Sequence, residues 1–121
     1  MDAAAAVELA NTASEAIRAL NHATRRRDVP APVAYELLAG MAEIGYRLDQ
    51  LAGQVGVGLI RSPDLYDVYD TNRDPKVSHA MAEKALIDGA RHVYMAAERF
   101  TEAQNAISGQ GHNGRLSEGE N

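Results

Sequence analysis

The chain has no cysteine, no tryptophan and a single phenylalanine, Phe100. Without cysteine, structural disulfides and thiolate metal sites are excluded, and the redox compartment stays undetermined. Proline is confined to four positions, Pro30, Pro32, Pro63 and Pro75, and the segments between them are free to run as helix. No apolar stretch reaches the length that spans a bilayer. Met1 to Val7 is Ala-rich but carries acidic Asp2 and no basic residue, so it does not read as a secretory signal, and the expected location is cytoplasmic. Twelve basic residues stand against seventeen acidic ones, a net charge of −5, which argues against a dedicated nucleic-acid binder while leaving room for a local basic patch.

At 121 residues the chain is one domain at most, with a modest core. Much of its 45% hydrophobic content is alanine, which favours helix but contributes little burial per residue. A core of that kind gains from a second copy or a partner.

What is present is a repeating rhythm. Ala34, Leu37, Met41, Ile44, Leu48, Leu51 and Val55 follow one another three and four residues apart, the spacing that lines one face of a helix against a partner. Beside them runs a stripe of small residues, Ala42, Gly45, Ala52 and Gly56. Glycine costs about 1 kcal/mol in a helix interior relative to alanine, so Gly45 predicts the close approach of another backbone. Gly53, Gly56 and Gly58 fit either close packing or a fraying helix end. A first helix is predicted from Asp2 to about Thr24, with the seam Ala3, Ala6, Ala10, Ala13, Ile17 and Leu20. Its acids lie early and its arginines late, which complements the helix dipole. Pro32 opens the second helix after a short break, which predicts antiparallel neighbours. Ser62-Pro63-Asp64 reads as a cap and one helical turn reaching Val68, and Asp74-Pro75 as the start of a third helix ending near Ser108. The third seam is Ala82, Leu86, Gly89, Val93, Ala96, Phe100, Ala103 and Ile107. The expected fold is therefore all-α: a bundle of three long antiparallel helices over residues 1–108, with a short helical turn before the third, completed by homodimerisation. Residues 109–121, with Leu116 the sole apolar side chain among them, read as a disordered tail.

Chemistry-bearing patterns are few. Asp70-Thr71-Asn72-Arg73-Asp74 begins like a calcium loop, but Pro75 and Met81 stand where glycine and a bidentate glutamate are needed. His22, His79, His92 and His112 include no i, i+4 pair, so no zinc site is expected. No phosphate loop, nucleophile elbow or HExxH occurs, and neither catalytic residues nor a cofactor is expected. Arg25, Arg26 and Arg27 form the one basic cluster and would suit phosphate; the plainer reading is a charged helix C-terminus. Tyr66 and Tyr69 lie in an acidic connection, where they read first as a plug over an open bundle end and second as a partner-binding spot. The spacing from Tyr66 to Asp70 and from Tyr94 to Glu98 is similar to a Tyr-x-x-x-acidic pattern of helical-hairpin secretion substrates of actinobacteria, whose Trp-x-Gly turn is absent here.

The run NHATRRRDVPAPVAYELLAGMAEIGYRLDQLAGQV, followed by a helix opening on Asp-Pro, resembles small Ala-rich helical proteins common in actinobacteria such as streptomycetes. The resemblance covers about Ala16 to Ala106, implies an all-α fold and carries no activity over. The leading functional expectation is a non-enzymatic interaction or assembly module acting by helix–helix contact. Leu37, Met41, Ile44, Leu48, Leu51, Val55, Leu86, Val93 and Phe100 are its expected oligomerisation residues. The alternative is a nucleic-acid-associated accessory protein using Arg25 to Arg27.

Overall fold

A computed structural model describes residues 2–116. The described chain is all-α, with three long helices and one 3₁₀ turn: α1 (Ala3–Thr24), α2 (Ala31–Arg61), the turn Ser62–Asp64, and α3 (Pro75–Ala106). It forms two compact units, one ending at Pro30 and one beginning at Ala31.

In the first unit, Asp2 caps α1 by accepting from the Ala4 N–H at 3.0 Å, which satisfies one of the donors a helix start leaves open. The helix stops at Thr24, whose hydroxyl donates back to the Leu20 carbonyl at 2.8 Å. Every described residue of this unit is exposed, the seam Ile17 and Leu20 included.

The second unit is a helical hairpin in which α2 packs against α3. Pro32 sits in the first turn of α2, where its missing N–H costs nothing. The helix then runs unbroken through Gly53, Gly56 and Gly58 to Arg61, so these glycines do not fray it. A Cβ built on Gly45 would lie 2.8 Å from the Ala97 Cβ and 3.1 Å from the Val93 carbonyl oxygen. The two backbones therefore meet where side chains are smallest, as the Gly45 spacing predicts. Gly56 in turn faces the Leu86 Cδ1, 3.6 Å from its would-be Cβ. Eleven residues forward along α2 correspond to eleven back along α3, so the helices are antiparallel and in step. Gly53 and Gly58 face open space.

The connection differs from expectation. Ser62 does not cap a new helical turn; its hydroxyl donates to the Leu59 carbonyl at 2.8 Å and extends the end of α2. The Leu65 and Tyr66 N–H groups both donate to the Ser62 carbonyl, and the turn ends at Asp64 rather than Val68. Asp70 then organises the approach to α3. Its carboxylate accepts from the Asn72 N–H at 2.8 Å, the Arg73 N–H at 3.2 Å and the Ser78 hydroxyl. Asp74 caps α3 by accepting from the Lys76 N–H at 3.0 Å, with Pro75 in the first position. The helix ends at Ala106, two residues before the expected Ser108, and Gly109 to Leu116 carry no helix. The remainder of the expected tail, residues 117–121, lies outside the described residues.

Among the described residues no helix is long and apolar enough to cross a membrane.

Candidate interaction face

The hairpin interface uses the small stripe, not the large seam. Ala42, Gly45 and Gly56 are buried on α2, with Asp49 and Ala52 half-buried between them. Each large seam residue stands one position earlier: Met41 before Ala42, Ile44 before Gly45, Leu48 before Asp49, Leu51 before Ala52, Val55 before Gly56. One residue is about 100° of rotation on a helix, so the seam is turned to the side of the hairpin. Leu48 is 44% exposed and Val55 50%; Met41 and Leu51 are likewise exposed, while Leu37 and Ile44 are half-buried at its edge. The expected α3 residues behave otherwise. Leu86, Val93 and Phe100 are half-buried, and the Leu86 side chain reaches Gly56 within the hairpin.

Local contacts give each side of the hairpin its residues. Tyr46 and Glu98 each follow a member of the Gly45–Ala97 contact by one position, and they meet: the Tyr46 hydroxyl donates to the Glu98 carboxylate at 3.0 Å. Tyr94 joins them edge-to-face with Tyr46, ring centroids 5.4 Å apart and planes at 67°. The Glu98 carboxylate holds both phenols above their usual pKa, since it accepts from the protonated form and opposes a second negative charge. Beside this cluster a groove of about 500 Å³ opens between the helices. Its walls come from Ala52, Gly53, Gly56 and Val57 on α2 and Leu86, Ile87 and Ala90 on α3, with Asp49, Glu83, Arg91 and Tyr94 also lining it. Neither the tyrosine cluster nor the groove is legible in the sequence. The signal available was the position of Tyr46 immediately after Gly45, which becomes informative only once Gly45 is known to meet Ala97.

The opposite side carries the residues one position before that contact, Ile44 on α2 and Ala96 on α3. Around Ile44 lie Met41, Leu48, Leu51 and Val55. Around Ala96, one heptad apart, lie Ala82, Gly89 and Ala103. A Cβ on Gly89 would meet nothing within 4 Å. This face thus carries a row of large apolar side chains along α2, while along α3 the small residues Ala82, Gly89, Ala96 and Ala103 alternate with half-buried Val93 and Phe100.

The remaining predicted positions lie outside the two hairpin helices. Arg25 is the residue that ends α1, its N–H donating to the His22 carbonyl at 3.3 Å, and Arg26 adopts a left-handed backbone at φ 54°. Arg25, Arg26 and Arg27 are all exposed in the turn. Tyr66 and Tyr69 do not plug the hairpin end. They are 70% and 85% exposed, with Leu65 also outward; the chain from Leu65 is held by backbone bonds to Ser62 and then by the Asp70 carboxylate. Among the described residues no group of three or more His, Asp or Glu side chains converges as a metal site. Compared with known proteins, the chain matches no family model, no curated protein and no solved structure.

Proposed function

We propose that this protein is a non-enzymatic helical assembly module, working by helix–helix contact through the apolar side of the α2–α3 hairpin. One observation carries the reading. Every described Leu, Ile, Val, Met, Phe and Tyr side chain is at least partly exposed, and the buried positions are alanine or glycine. A two-helix hairpin has only one interface, and here it is filled by small residues. The large seam is left over for another partner, where burying a side chain such as Leu or Val from water is worth about 1.5–3 kcal/mol.

The test is native mass by light scattering behind a sizing column over a hundredfold concentration range, for the wild type and for Leu48→Asp. The wild type is expected above the 13.0 kDa chain mass. The variant is expected at the chain mass, because Leu48 is exposed beside the hairpin interface and not in it. A wild type at chain mass throughout, or a variant that associates like the wild type, overturns the proposal.

A further inference from the structure

The groove beside the tyrosine cluster lies on the side of the hairpin away from the large seam, and one residue of its wall is out of keeping with its place. Asp49 stands in the stripe through which α2 meets α3, in the series Ala42, Gly45, Asp49, Ala52, Gly56, where every other member is alanine or glycine. It is half-buried and lines the groove, yet its carboxylate accepts no hydrogen bond and joins no ion pair. Among the described residues no buried side-chain oxygen lacks a partner, so the free Asp49 oxygens are accessible rather than sealed between the helices. A charge at a packing position is costly unless something pairs it, and a local rule broken inside a packing stripe is where function is looked for. Independently of the assembly reading, we infer that this groove binds a small organic cation with an apolar body, whose ammonium group pairs with Asp49 against the Tyr94 ring.

Size, sign of charge and the aromatic ring select that chemistry together. The volume of about 500 Å³ falls within the roughly 300–1,000 Å³ of ligand sites. Between its polar groups the walls are apolar, with Val57 and Ile87 exposed along them, and Gly53 leaves open space where a side chain would stand. The body of the ligand therefore has surface to cover. Asp49 and Glu83 both line the groove without an ion-pair partner. Arg91, the one cation among the described residues lining it, already pairs with Asp88 at 3.2 Å. An anion would meet two bare carboxylates, whereas a cation is attracted by both. An ammonium group is also favoured over the face of a tyrosine ring. The Tyr94 phenol, held above its usual pKa first by Glu98, feels the Asp49 charge as well, so ring and carboxylate lie within electrostatic reach of one ligand head.

The test is a titration of the isotope-labelled full chain, read by amide shifts, with phenethylammonium and separately with phenylpropionate, which carries the same ring and chain but the opposite charge. Phenethylammonium is expected to shift the Gly53, Gly56 and Ala90 amides with a dissociation constant on the order of 1 mM. Phenylpropionate is expected to bind at least about tenfold more weakly. Asp49→Asn keeps the shape and removes the charge, and should weaken phenethylammonium about tenfold; Asp64→Asn, in the exposed turn after α2, should not. Gly53→Leu, which fills the open space, should block binding. Groove amides unshifted up to about 10 mM phenethylammonium, equal binding of the two probes, or equal losses from Asp49→Asn and Asp64→Asn overturn the inference. So does an Asp49→Asn or Gly53→Leu protein that binds like the wild type. None of these outcomes bears on the seam, whose association is read by light scattering on Leu48→Asp.

Discussion

At the residue scale, glycine positions separate packing from propensity. Gly45 has no room for a Cβ against Ala97 and the Val93 carbonyl, and the nearest obstacle there is backbone or a Cβ that cannot rotate away. Gly45→Ala is therefore expected to push the helices apart and destabilise the hairpin by about 1–3 kcal/mol, the usual range for overpacking. Gly53→Ala and Gly58→Ala meet open space and are expected to stabilise by up to about 1 kcal/mol through helix propensity alone. Urea melts of the three variants decide this; equal effects would mean that Gly45 is not the closest approach. Tyr46 supplies a pH-dependent term. Its pKa is raised in the folded chain, first through its hydrogen bond to Glu98. The stability it contributes is thus complete below its ordinary value near 10 and is lost as pH rises through the higher folded value. Urea midpoints measured from pH 8 to 12 should fall at the alkaline end, and Tyr46→Phe should flatten that fall; an unchanged slope would show the bond to be absent in solution.

At the element scale, the approach to α3 depends on one carboxylate. Asp70 is held below the usual aspartate pKa, first by the Ser78 hydroxyl and then by the Asn72 and Arg73 backbone donors. Those bonds favour the charged form, so their stabilisation is present above about pH 3.8 and is lost as pH falls through the lower folded value. Asp70→Ala should speed amide exchange at Asn72 and Arg73 at neutral pH while leaving mid-helix amides of α3 protected. The α2 helix shows a different principle. Its two apolar stripes are one residue apart, and tertiary packing uses the smaller one because glycine and alanine allow the backbones to approach until dispersion contacts are continuous. Large residues at Leu48 and Leu51 cannot approach so closely and are turned outward.

At the scale of the whole molecule, a hairpin with so little buried surface is expected to draw its stability from association. Binding to the folded state alone stabilises by mass action, so the thermal midpoint should rise with protein concentration, and Leu48→Asp should abolish that dependence. A midpoint independent of concentration would mean that the hairpin is self-sufficient.

The sequence by itself determined that the chain is all-α, where α1 and α3 begin and end to within about two residues, and that Gly45 marks a close approach. These follow from local physics: proline and aspartate at helix starts, a three-four apolar spacing, and the cost of a mid-helix glycine. Only the tertiary structure decided which of the two adjacent stripes on α2 meets α3, that Tyr46 reaches Glu98, and that Tyr66 and Tyr69 face outward. Helical spacing records that a face is apolar but not what lies opposite it. Two stripes one residue apart differ only in what each can pack against, and that is settled by the size of side chains contributed from a distant part of the chain.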